Sequence, residues 1–151
     1  MHRCTFALME VDDLRGCGAV EALAGVLGEA APEATLLRYE AAVMLAYRLG
    51  PDAPDKTADV LTEFLKNKDI QFYRGSSTRA SGASSEGARG ASGFETKHGE
   101  DARYVAAECL GLLGPRAGKR PQVLDALREA GKDANPKVRD KAAEALKKLQ
   151  K

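Results

Sequence analysis

The sequence predicts an all-α fold, an α-solenoid of stacked helix pairs, and three observations predict it. A nine-residue tract occurs three times, at Leu37–Leu45, Ala102–Leu110 and Val138–Leu146, each reading apolar–Arg–two residues–Ala-Ala–two residues–Leu. Its arginines Arg103 and Arg139 are 36 residues apart, and Arg38 and Arg103 are 65 apart. Repetition at such a period marks helical units that cannot bury their apolar faces alone and must stack on neighbours. Aromatic residues are only 5% of the 151 residues and there is no Trp. That composition suits close-packed Ala/Leu helices better than sheets, where aromatic and β-branched residues concentrate. Two tract helices also end alike, in Leu49-Gly50-Pro51 and Leu113-Gly114-Pro115. Gly takes the positive-φ position past the last turn, and Pro stops the helix from continuing.

The expected organisation is one domain over 1–151, with helix pairs at about 3–30, 36–69 and 101–132 and a terminal helix at 136–150. The run Ala19–Leu27 has the Ala/Leu character of the second helix of a first pair, and residues 3–14 are its candidate first helix. After the first tract, Ala58, Leu61, Phe64 and Leu65 repeat at helical spacing behind Pro54. After the second, Val123, Leu124, Leu127 and Ala130 do the same behind Pro121. The terminal helix carries Val138, Ala142, Ala145, Leu146 and Leu149 on one face and charged residues on the other. Asn135-Pro136 suits its start, with Asn as N-cap and Pro at N1. The Ala-Ala pairs allow neighbouring helices to approach closely. Residues 74–99 break the pattern: a Gly/Ser/Ala/Arg segment too poor in apolar side chains to order itself, read as a flexible insertion that lengthens the first spacing.

No run of about eighteen apolar residues is present, so no membrane span is expected. Acidic residues at Glu10, Asp12 and Asp13 interrupt the N-terminus before an apolar stretch develops, which argues against a signal peptide and for a cytoplasmic protein. Cys4, Cys17 and Cys109 form no CxxC pair and read as reduced thiols, with Cys109 a core residue. The net charge of +1 hides an asymmetry: residues 1–70 carry 7 Lys/Arg against 12 Asp/Glu, and residues 115–151 carry 11 against 5. Such a field steers association.

The three tracts and their flanking helices resemble HEAT repeats, in particular the short, Ala-rich, phycobilisome-lyase-type kind, over about two-thirds of the chain. The resemblance implies a right-handed superhelix of antiparallel helix pairs whose second helices line a concave surface and bind other macromolecules. The family's Asp six residues ahead of the tract Arg occurs here once, as Asp133 before Arg139; Pro32 and Lys97 stand ahead of Arg38 and Arg103. An Asp–Arg ladder along the whole stack is therefore not expected.

The tract arginines read as structural: first-turn residues pairing with a neighbouring unit's carboxylate or loop carbonyls. The partner-binding candidates are Lys119, Arg120, Arg128 and Lys132, around the last helix pair, with Lys137, Lys141, Lys147, Lys148 and Lys151 on the terminal helix. The bland alternative is a solvated capping face. His2 and His98 are far apart, no His/Cys cluster has ligand spacing, and no phosphate loop or nucleophile–base arrangement stands out, so no metal, cofactor or catalysis is expected. The function expected is a protein-interaction scaffold for a partner with an acidic surface, with self-association through opposite-charged ends as one form. A bilin-lyase-like role and weak nucleic-acid binding through the basic end are the alternatives.

Overall fold

A computed structural model of the chain describes residues 18–29, 35–68 and 101–150. The candidate first helix at 3–14, the insertion at 74–99, both histidines, Cys4 and Cys17 lie outside them. Every regular element among the described residues is helical: α1 (Ala19–Val26), α2 (Thr35–Leu49), a 3₁₀ turn (Gly50–Asp52), α3 (Asp55–Lys66), α4 (Arg103–Leu112), the single turn α5 (Pro115–Gly118), α6 (Pro121–Ala130) and α7 (Pro136–Leu149).

Local chemistry accounts for the boundaries. Pro121 and Pro136 occupy the first turns of α6 and α7, where no intrahelical N–H is needed. Asn135 caps α7, its side-chain oxygen accepting the Lys137 N–H at 3.0 Å. Gly50 and Gly114 adopt φ of 51° and 69°, as the Gly-Pro signals require. The chain does not stay irregular after them, however. Pro51 sits inside the 3₁₀ turn and Pro115 opens α5, because fixed proline φ suits a first helical turn as well as a stop.

The helices pack in two rows. The tract helices α2, α4 and α7 lie side by side and run in one direction. Tyr39 in the first half of α2 reaches Ala102 just ahead of α4, and Tyr47, two turns on, reaches Glu108. Likewise Arg103 at the start of α4 meets Asp133 just ahead of α7, and Gly111 near the end of α4 faces Ala145 in α7. Helices α3 and α6 form the other row, packed on each other and against the tract helices. Between the rows runs one core in which Leu45, Leu61, Leu110, Leu127 and Val138 are fully buried.

Small residues set the spacing between tract helices. Ala41, Ala42, Ala106, Ala107 and Ala142 have no exposed surface. Ala143, the second alanine of the last pair, is exposed: no described helix covers that side of α7. A Cβ on Gly111 would lie 3.0 Å from the Ala145 Cα, so α4 and α7 meet almost backbone to backbone.

Candidate functional site

The tract arginines occupy one helical position and make three different sets of contacts, all within the fold. Arg38 reaches across to α3 and pairs with both carboxylate oxygens of Glu63, at 2.9 and 3.4 Å. Arg103 is clamped between two aspartates. Asp101, two residues earlier, accepts its Nε–H at 2.9 Å and its backbone N–H at 3.1 Å, which also satisfies a first-turn donor of α4. Asp133, from the turn into α7, accepts Nη1–H at 2.6 Å and Nη2–H at 3.3 Å. Asn135 closes the cluster, donating from Nδ2 to Asp101 at 3.1 Å and from its backbone to Asp133 at 2.9 Å. Arg139 donates Nη1–H to the carbonyls of Asp133 and Ala134, at 2.8 and 2.9 Å. The sequence reading of these arginines as structural agrees with this geometry.

Electrostatics follow from the clamp. Burial by itself would raise both aspartates, but hydrogen bonds outweigh it and hold both below the ordinary carboxylate range. For Asp101 they come from Arg103 and Asn135, for Asp133 from the Asn135 N–H and Arg103. Arg103 is raised in turn, chiefly by Asp101, against its own desolvation and with Asp133 adding to it. A second polar chain crosses the outer surface of the tract row: Tyr47 donates to Glu108 at 3.0 Å, Lys141 bridges Glu108 and Glu144 at 2.8 and 3.3 Å, and Lys148 meets Glu144 at 2.8 Å. Lys141, against the cost of burial and with help from Tyr47, holds Glu108 below the usual range. Cys109 is fully buried beneath it. Burial and the nearby Glu108 charge push its thiol up to about 12, so it is a packing residue.

The four partner-binding candidates do not form one patch. Lys119 and Arg120 precede α6, whereas Arg128 lies in its last turn and Lys132 beyond it; the rise along the helix from Arg120 to Arg128 is about 12 Å. Arg120 is committed inside the molecule, donating to the Asp55 carbonyl at 2.6 Å and pairing with Asp59 at 2.8 Å. Arg116 likewise pairs with Asp55 at 3.0 Å. Part of the sequence's charge asymmetry is thus spent within the fold, basic residues from 115–120 meeting acidic residues of α3. Arg128 pairs with its neighbour Asp125 at 2.9 Å, both well exposed. Lys119 and Lys132 are exposed. The remaining basic excess sits on α7, which carries five Lys/Arg against two acidic residues.

Sequence reasoning did not single out the two large hydrophobic residues that stand exposed among the described ones. Leu36 is 37% and Tyr47 48% accessible. They are eleven residues apart on α2, about three turns, and so share one line; Glu40 and the half-buried Val43 lie between them on that line. The missed signal was the break in the amphipathic pattern of α2 at these positions. A shallow notch lies where the Gly-Pro turns meet the start of α3, lined by Pro51, Pro54, Asp55, Leu113, Arg116 and Arg120. Among the described residues no group of three or more His, Cys, Asp or Glu is placed to hold a metal ion, and no helix is long and apolar enough to cross a membrane.

No curated protein and no solved structure matches the chain. One protein-family model does match, and its span takes α6 and α7 as a single unit, with the tract helix second in the pair where the sequence reading had put it first. Over residues 123–151, the chain is similar to the HEAT repeat.

Proposed function

We propose that the chain is a protein-interaction scaffold that presents the tract row α2–α4–α7 to its partner. HEAT repeats are commonly such scaffolds. The observation that carries the reading is the line of Leu36 and Tyr47 on that row, beside the charged chain running from Glu108 to Lys148. Contiguous apolar surface rimmed by polar groups marks interaction sites, and Leu36 and Tyr47 share one line with the half-buried Val43. In the frame of the matched repeat the tract helices are the second helices, the ones expected to line the concave side of a right-handed superhelix. The basic excess of α7, with Lys119 and Lys132, favours an acidic partner surface, and the reading places this work in the cytoplasm. The opposite charge of the two sequence ends leaves head-to-tail self-association as one form of it.

The test is capture from native lysate at low salt, followed by re-binding of purified components. Three baits are needed: the wild type, Leu36→Asp/Tyr47→Ala, and Lys119→Glu/Lys132→Glu. Both pairs are exposed, so the fold tolerates the changes, as circular dichroism would verify. A protein bound by the wild type and lost with the first variant supports the tract row. Weakening with the second variant and steep salt dependence support the acidic partner. Equal capture by all three baits contradicts the reading.

A further inference from the structure

Arg139 holds the tract position of Arg103 but lacks what Arg103 has. The Arg103 guanidinium is saturated by carboxylates, and one of them, Asp133, arrives with the turn that leads into the next tract helix. Stacking a helix beside α4 therefore delivers an aspartate to its arginine, two residues ahead of a capping Asn. On α7 the same guanidinium is already held in place, because its Nη1 is fixed by the Asp133 and Ala134 carbonyls. Its Nε and Nη2 have no hydrogen-bond partner among the described residues. These two donors form a planar fork that matches a carboxylate in two-point geometry. The surface around the fork is prepared for a neighbour in two further respects. Ala143, whose counterparts Ala42 and Ala107 are fully buried against adjacent helices, is exposed. Lys147, two turns beyond Arg139 and close to the line of Ala143, is exposed and gives this side a further positive charge. Glu144 does not oppose it, being occupied by Lys141 and Lys148, which leaves Asp140 as the acidic residue of α7 without such a pair.

We infer that the outer face of α7 docks a partner protein through an aspartate at the start of one of the partner's helices, with Arg139 reading that carboxylate as Arg103 reads Asp133. The inference rests on the scaffold reading above and assigns the chemistry of one contact within it. Charge complementarity and the filled example one unit away identify the occupant: an acidic helix start, with an alanine-sized residue facing Ala143.

The probe is a synthetic peptide with the sequence of residues 131–150, which carries Asp133 ahead of its own helix. It is titrated into the full chain with ¹⁵N-labelled arginine side chains. The expected result is a shift of the Arg139 Nε–H resonance with Arg103 unmoved. Affinity should fall about tenfold or more when the peptide carries Asp133→Asn, or when the chain carries Arg139→Lys, which keeps charge and loses the fork. Equal affinity for the Asp and Asn peptides, or no shift at millimolar peptide, overturns the proposal. A larger shift with a DNA oligonucleotide makes the face a phosphate reader and overturns it too. So does concentration-dependent self-association in sedimentation that Arg139→Lys abolishes, since the occupant is then a second copy. The scaffold reading fails separately, through the Leu36/Tyr47 bait, whose surface is on α2 and leaves Arg139 intact.

Discussion

The two junctions between tract helices solve one problem with different chemistry. Between α4 and α7 the tract arginine is buried among carboxylates: the side chains of Arg103, Asp101 and Asp133 are only 12%, 22% and 9% exposed. Between α2 and α4 the tract arginine turns away to an exposed Glu63, and the junction is held by Tyr39, which is buried, packs against Phe64 with ring centroids 4.8 Å apart and planes tilted by 45°, and donates to the Ala102 carbonyl at 3.0 Å. Helical register places an arginine at each junction; the residues around it decide whether it becomes a structural clamp or a surface pair. The contrast follows the spacing in sequence. The unit 36 residues on brings its own aspartate, Asp133, to Arg103, whereas the corresponding position ahead of Arg103, the one that would serve Arg38, is Lys97.

The sharpest way to break the contrast is to remove each arginine. Arg103→Ala leaves Asp101 and Asp133 facing each other, partly buried and without a counter-charge, and should cost about 3 kcal/mol or more in denaturant unfolding. Arg38→Ala removes a pair with a mostly exposed partner and should cost about 1 kcal/mol or less. Equal costs would mean that burial of the clamp contributes nothing.

Overpacking separates the junctions next. Gly111→Val must push α7 away from α4, where Ala145 already stands at the contact limit, and should cost about 1–3 kcal/mol. The same tract position on α2 is Ala46, fully buried, so that junction is spaced by a methyl group rather than by none. Ala46→Gly there should cost about 1 kcal/mol through helix propensity, with a small cavity adding to it. A thermal scan of both variants decides whether the glycine contact is special to the later junction. Tyr39→Phe comes below these. It keeps the ring packing and strips one donor from the buried Ala102 carbonyl, for an expected loss of about 1 kcal/mol.

The contrast also shows where reading the sequence succeeds. Helix ends are written in short-range chemistry, so Gly50, Gly114, Pro121 and the Asn135 cap were legible one by one. The structural role of the tract arginines was legible from their recurrence. The identity of their partners was not. The sequence offered a neighbouring unit's carboxylate or loop carbonyls without choosing between them; the Asp133 carboxylate crosses to Arg103, and Arg139 receives the carbonyls of Asp133 and Ala134. Asp101 entered the clamp from a position that the repeat pattern does not mark. The charge asymmetry misled for a related reason: Arg116 and Arg120 meet α3 residues some sixty positions away, and no local pattern records such a pairing. For the candidate site, the sequence located basic residues but could not separate those spent on folding from those left over on α7.

Acid titration gives the smallest effect and tests the clamp without altering its packing. Asp101 and Asp133 titrate lower in the folded chain than in the unfolded one. Their stabilising contribution is therefore complete above the unfolded aspartate value, about 3.9, and is lost as pH falls through the folded values. Wild-type stability should decline from about pH 5 downwards, with protons taken up on unfolding. Asp133→Asn removes one of the two groups. That variant should be less stable at neutral pH, and its curve should be flatter below pH 5, so that the two proteins converge in acid. The change in slope between them should be on the order of 1 kcal/mol across that window. Parallel curves would place the pH dependence elsewhere, with Glu108 the next carboxylate to test, since Lys141 holds it low in the same direction. Curves that converge would tie the acid sensitivity of the fold to the α4–α7 junction, where a carboxylate from one unit is held by the arginine of another.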